Sequence, residues 1–252
     1  MSTSNPNSNN SIHHLVQLSY TSSLLSGQSV LLVSSDFSIA SFIASTGANV
    51  VAASREDASP PWPRLRSEDG MAHHIMPLNN LAFDDGVFGA AVIPNISEIN
   101  DLEAVLSEIK RVLHRNGRLI AATPNANVKG NSTSAIDYYR MYDLLSKEFP
   151  SVQMIGQSPF IGYTVADLEG REGSLEVSFN SDLLESEVED ISWFVAVCAE
   201  RKCKLDSYSV IQIPSSSFAV SADSADLERL EEELKNARIE LGNRGVRIES
   251  LE

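Results

Sequence analysis

The tightest constraint on the fold comes from short apolar runs that lack polar alternation. Ser29–Val33, Asn49–Ala53, Ala90–Ile93 and Arg118–Thr123 are each of strand length and apolar almost throughout. A strand with one face in water alternates apolar and polar residues, whereas a strand covered on both faces does not, which is the signature of a parallel sheet between helices. Helical patterns separate these runs. Ile39–Ser45 is apolar with small residues and stops at Gly47. Asp101–Leu113 carries a stripe of Leu102, Val105, Leu106, Ile109, Val112 and Leu113, with Asp101 as its expected cap and Asn116-Gly117 as its stop. Ala135–Phe149 reads as a further helix, and Val152–Ile155 and Trp193–Cys198 as further strands. The alternation predicts a three-layer α/β fold with a mostly parallel sheet.

Two segments flank this core. Met1–Ser11 is rich in Ser and Asn, without the basic or apolar stretch of a signal or transit peptide, and reads as a disordered lead-in. Ile12–Leu25 then predicts an amphipathic helix. At the other end, Lys204–Val220 suggests a last strand and a Ser-rich linker containing Ser215-Ser216-Ser217. Beyond it Leu227, Leu230, Leu234, Ala237, Leu241, Ile248 and Leu251 fall on alternating steps of three and four, the seam of a coiled coil. Arg244 interrupts that seam, and Gly242 and Gly245 each cost about 1 kcal/mol of helix stability. The expected organisation is a disordered stretch at 1–11, a domain at 12–212, a linker at 213–224 and a coiled coil at 225–252 that continues in a longer protein.

Composition narrows the function classes. The 252-residue chain is 42% hydrophobic and 21% charged, within the globular range. Its net charge of −15 argues against a nucleic-acid surface and against anionic membranes. No apolar run approaches the roughly 20 residues of a membrane span. Two cysteines, Cys198 and Cys203, cannot furnish a four-ligand zinc site, and Cys198 sits in a strand pattern as a small core residue. A reducing cytoplasm is expected.

Three stretches carry a family resemblance. Leu81–Phe88 (LAFDDGVF), Glu103–Pro124 (EAVLSEIKRVLHRNGRLIAATP) and Asp137–Gly156 resemble, in order, the loop before strand four, the helix-turn-strand and the late helix and sixth strand of class I, type 11 S-adenosylmethionine-dependent methyltransferases. The resemblance spans Gln28 to Val197, about 170 residues. It implies a Rossmann-like methyltransferase fold with a glycine-rich cofactor loop after strand one. In that family an acidic residue ends strand one and a G-x-G-x-G turn follows. Here those positions hold Leu32, and Ser34, Asp36 and Ser38 in place of the three glycines. Ser54 stands where an acidic residue takes the ribose hydroxyls, no acid occurs at Pro77–Asn79, and Gly89 replaces a frequent Asp. Each lost charged or bidentate contact costs about 1.5 to 3 kcal/mol, so three or four carry a micromolar ligand past millimolar. Asp36 also brings negative charge beside the place of the cofactor's carboxylate.

Other candidate chemistry weighs less. Asp84-Asp85 is expected to be a solvated turn rather than an acid pair or metal site, and Glu98 a surface acid rather than a base. His13-His14 and His73-His74 lack metal-ligand spacing and are expected in surface loops. Asn125 is expected to shape a turn, and Ser34, Ser35 and Ser38 retain donors for an anion nest that Asp36 opposes. A bulky side chain such as Phe37 filling the crevice would count against an active enzyme.

The leading expectation is therefore a non-catalytic interaction protein. It keeps a methyltransferase-like fold, needs no cofactor or metal, and pairs with itself through the Leu227–Leu251 seam and with an unidentified protein partner. A divergent active methyltransferase using S-adenosylmethionine is the alternative, and a domain binding another nucleotide is a third, which lacks any P-loop or dinucleotide fingerprint.

Overall fold

A computed structural model describes residues 7–55, 62, 70–128, 136–159 and 191–213. The chain divides into two compact units, one spanning Thr21–Leu205 and one formed by residues 1–20 and 206–252. The expected linker and the whole Leu227–Leu251 seam lie outside the described residues.

The larger unit is built on one seven-stranded sheet in the order β3-β2-β1-β4-β5-β7-β6. Its strands are β1 (Ser29–Val33), β2 (Asn49–Ser54), β3 (Met71–Ile75), β4 (Phe88–Ile93), β5 (Leu113–Pro124), β6 (Ser151–Gln157) and β7 (Trp193–Ala199). The helices are α1 (Asn7–Leu25), which enters from the smaller unit, α2 (Phe37–Ser45), α3 (Leu102–Val112) and α4 (Tyr138–Ser146). β1 through β5 run parallel. β7 runs antiparallel to both β5 and β6.

The apolar runs are explained by burial on both faces. Leu31, Val33, Ala91, Ile93, Leu119, Ala121, Ala196 and Cys198 join one core cluster with Val105, Leu106, Ile109 and Val112 of α3 and Met141 and Leu145 of α4. The alternate residues Val30, Leu32, Val50, Ala52, Ala90, Val92, Ile120, Ala122, Val195 and Val197 lie outside that cluster and are buried as well. Ile39, Ala40 and Ile43 of α2 are buried outside the cluster too. Successive side chains of a strand point to opposite faces, so burial of both faces demands apolar residues at nearly every position of these runs. No helix among the described residues is long and apolar enough to cross a membrane.

Several local expectations are corrected. α1 begins at Asn7, within the stretch read as disordered, because Asn7–Ser11 carry no apolar pattern by which a helix could be recognised. His13 and His14 lie in that helix and His73 and His74 in β3, not in surface loops. β3 escaped detection because it is an edge strand whose side chains are only half-buried or exposed, so its sequence MAHHI shows neither a continuous apolar run nor a clean alternation. Asp101 adopts a left-handed conformation (φ 54°) and makes no side-chain cap bond to α3. α3 ends at Val112 rather than at Asn116-Gly117, since Leu113 already pairs with Phe88 and the ladder then shifts register to Ala90–Arg118. Lys204–Ile213 forms no strand. Gly47 does supply the left-handed stop after α2, at φ +83°, and α4 starts at Tyr138 under a cap in which Asp137 accepts from the Arg140 N–H at 2.8 Å.

In the smaller unit the Tyr20 hydroxyl donates to the Asp206 carbonyl. His14 Nδ1 lies 3.3 Å from Gln17 Oε1 one turn on. Burial, and secondarily the neighbouring His14, hold the His13 pKa below its ordinary value.

Burial pushes the Cys198 thiol up to about 12. The thiolate is the reactive form. At pH 8 a disulfide-exchange reagent should therefore label Cys203 while Cys198 reacts only after denaturant is added. Fast labelling of both thiols in the folded protein would contradict this assignment.

Candidate functional site

In an open parallel sheet, ligands bind beyond the carboxyl ends of the strands where the strand order reverses. Here that point lies between β1 and β4, which neighbour each other although not consecutive in sequence. The loop over it is Ser34-Ser35-Asp36, leading into α2.

At the start of α2 the Ser38 N–H is satisfied from within. Asp36 Oδ1 accepts from the Ser38 N–H at 2.8 Å and from the Ser38 hydroxyl at 2.6 Å. The Asp36 N–H donates to Ser34 Oγ at 3.1 Å, and the Ala40 N–H to the Asp36 carbonyl at 3.3 Å. Asp, Ser and Ser at these positions make a self-contained helix cap. A helix start that serves an external anion leaves such donors free. The expected degenerate positions thus have defined roles: Asp36 is the cap, Ser34 and Ser38 are its partners, and Leu32 is a fully buried core residue of β1.

Aromatic side chains gather between the β1–α2 loop and β3. Ser54, the last residue of β2, is buried, and its hydroxyl lies 2.9 Å from His73 Nε2 on β3. The Trp62 indole stacks on the His73 ring at 4.9 Å and an interplanar angle of 16°. Phe37 meets the same indole edge-on at 5.4 Å. Trp62 Nε1–H donates to the Ser35 carbonyl at 2.8 Å. Trp62 therefore reaches from the β1–α2 loop to β3, and β2 lies between those two strands. The sequence singled out Phe37 and Ser54 but not Trp62 or His73 as parts of this cluster. The only available sign of Trp62 was a tryptophan held between prolines, Pro61-Trp62-Pro63.

The remaining candidates hold the backbone. Glu98 is exposed and accepts from Asn95 Nδ2 at 2.8 Å, while Asn95 Oδ1 accepts from the Ser97 N–H at 3.1 Å in the short turn after β4. Buried Asn125 donates to the Ile191 carbonyl at 2.7 Å and accepts from the Asn127 N–H at 3.0 Å, which makes it a turn former. Gly89 faces Gln28, whose Oε1 would lie 2.3 Å from an added Cβ. Among the described residues no group of three or more His, Cys, Asp or Glu is placed to hold a metal ion.

Two of the three family-like stretches, Leu81–Phe88 and Glu103–Pro124, meet at Arg111. Its guanidinium grips Glu108 through Nε at 3.1 Å and Nη2 at 2.8 Å. It also donates to Asp85 at 2.6 Å and to the carbonyls of Phe83 and Leu81 at 2.9 and 3.0 Å. Glu108 in turn accepts from the Leu81 N–H at 3.0 Å. Asp85 is thus an exposed turn residue with an ion-pair role, and Asp84 is exposed beside it. The Arg111 hydrogen bond, foremost, holds the Glu108 carboxyl below the usual carboxylate range, and the Glu108 and Asp85 hydrogen bonds raise the Arg111 pKa.

No protein-family model matches the chain, and no curated protein matches it by sequence. Solved structures do match. A SAM-dependent methyltransferase from Thermotoga maritima is 15% identical and aligns over 77% of this chain and 91% of its own, with a TM-score of 0.51. The 1,6-didemethyltoxoflavin-N1-methyltransferase of Burkholderia thailandensis, solved with 1,6-didemethyltoxoflavin and S-adenosylhomocysteine, is 11% identical over 75% of this chain and 79% of its own, with a TM-score of 0.49. The mostly parallel seven-stranded sheet with flanking helices is the Rossmann-like methyltransferase fold.

Proposed function

We propose that this chain uses a methyltransferase-like fold as a non-catalytic interaction module that does not bind S-adenosylmethionine. A fold does not dictate an activity, and a scaffold that loses its site can be kept for its surface. The observation that carries the proposal is the state of the cofactor edge. The α2 N-terminus is capped by Asp36, and Trp62 packs between Phe37 and His73 with its N–H on the Ser35 carbonyl. These residues do not suit the cofactor. Neither Leu32 nor Ser54 offers a carboxylate to its amino or ribose groups, and the Asp36 charge at the α2 N-terminus would repel a ligand carboxylate placed there. Titration calorimetry with S-adenosylmethionine and S-adenosylhomocysteine tests the proposal. We expect no saturation below millimolar concentration. Micromolar affinity would overturn it and favour a divergent active methyltransferase.

The second element of the proposal is self-association through Leu227, Leu230, Leu234, Ala237, Leu241, Ile248 and Leu251 as a weakly held parallel dimer. The 225–252 seam has fewer than four full heptads' worth of unbroken core, given Gly242, Arg244 and Gly245, so the equilibrium should be concentration-dependent. Sedimentation of the full chain against one cut after Ser221 should give a rising mass for the first only. Equal monomer masses at high concentration would exclude the dimer.

A further inference from the structure

The covering of the cofactor edge has a chemistry of its own. An indole is a flat aromatic ring with one N–H donor, and Trp62 satisfies each of those properties separately. Its face lies on the His73 ring at 4.9 Å and 16°. Its edge meets Phe37 at 5.4 Å and 74°. Its N–H is taken by the Ser35 carbonyl at 2.8 Å. The groups that receive it come from α2, β3 and the β1–α2 loop, and Ser54 fixes the His73 ring from β2 at 2.9 Å. β1, β2 and β3 are neighbours in the sheet, so these groups gather on one side of the β1–β4 crossover point. A slot with an aromatic floor, an aromatic wall and a carbonyl acceptor suits any flat heteroaromatic ring bearing an N–H.

We propose that Trp62 is an intramolecular ligand of this slot, occupying the place that a nucleobase-like ring would otherwise take. This rests on the reading that the cofactor edge is closed, and adds that one side chain closes it. The indole is tethered, so its effective concentration at the slot exceeds that of a free ligand of similar ring size. A free ring therefore gains entry only when the indole is removed. Removal to glycine leaves a half-exposed recess lined by the His73 and Phe37 rings beside the Ser35 carbonyl, into which a small flat ring with an N–H can fit.

The test uses the full chain with Trp62→Gly, read by thermal shift with free indole and with adenosine as probes. Indole should raise the melting temperature of the variant saturably, with half-saturation on the order of 1 mM, the affinity expected of a ligand of that size. Adenosine should do the same in the variant and should bind the wild-type chain at least about tenfold more weakly. If W62G is recovered unfolded, its refolding yield with and without indole reads the same question, and recovery with indole is expected. The proposal is overturned if neither probe shifts or rescues the variant, or if adenosine binds variant and wild type alike. Its failure is separable from that of the proposed function. Wild-type affinity for S-adenosylhomocysteine decides the one, and the difference between variant and wild type for indole and adenosine decides the other.

Discussion

Arg111→Ala should lower the stability of the larger unit by about 2 to 3 kcal/mol, the range for removing charge-assisted hydrogen bonds from a partly buried site. The guanidinium satisfies two backbone carbonyls, Leu81 and Phe83, and two carboxylates, Glu108 and Asp85. Its removal leaves those acceptors facing one another. Asp85 contributes least, because its side chain is 80% exposed and solvent screens the pair. Arg111→Lys should recover little, since an ammonium cannot reproduce the forked, two-point hold on Glu108. Urea denaturation at constant slope measures both variants. A change in R111A under about 0.5 kcal/mol, the scatter typical of plain surface substitutions, would show that the network is ornamental.

The same residue sets a pH dependence. Arg111 holds the folded-state pKa of Glu108 below its ordinary value of 4.5. A depressed carboxylate contributes stability that is fully present above the unfolded pKa and lost as pH falls through the folded one. Wild-type stability should therefore decline below about pH 4.5, and in R111A the Glu108 share of that slope should disappear.

The second large effect belongs to the centre of the sheet. Phe88→Ala should cost about 3 to 5 kcal/mol, the range for deleting a buried aromatic side chain. Phe88 is 1% exposed, opens β4, and meets Phe83 edge-on at 5.1 Å. Phe83 belongs to the loop that Arg111 holds. The two sites share a partner, so the double variant should lose less than the sum of the single losses. Strict additivity in a double-mutant cycle would show that loop and core are held independently.

What could be read in advance followed burial. β1, β4, β7, most of β2 and the part of β5 from Leu119 onward are buried, so these stretches had to be largely apolar and the runs were legible, and β6 was legible from Val152–Ile155 although only half-buried. β3 is an edge strand with half-exposed side chains, and its pattern carries no such signal. α3 showed its stripe, but its start did not follow the usual cap chemistry, because Asp101 turns left-handed instead of capping. At the candidate site the departures from the expected glycine-rich pattern were legible in single positions such as Ser34, Asp36 and Ser54. The aromatic packing beside them was not. Trp62 lies 27 residues from the carbonyl it holds, and nothing local to either residue encodes that contact.

The sheet order also constrains how the chain is made. β7 is the last strand in sequence among the described residues, yet it sits between β5 and β6 and is buried along its whole length. A chain emerging from the ribosome therefore exposes the edge of β5 and carries β6 without its neighbour until residues 193–199 have been synthesised. Until then β5 presents an open ladder and an uncovered apolar face, the conditions under which nascent chains pair wrongly or recruit chaperones. The cost of premature termination thus changes abruptly over one seven-residue stretch. A product ending before Trp193 has an unfinished interior, whereas one ending beyond Ala199 has all seven strands of its sheet.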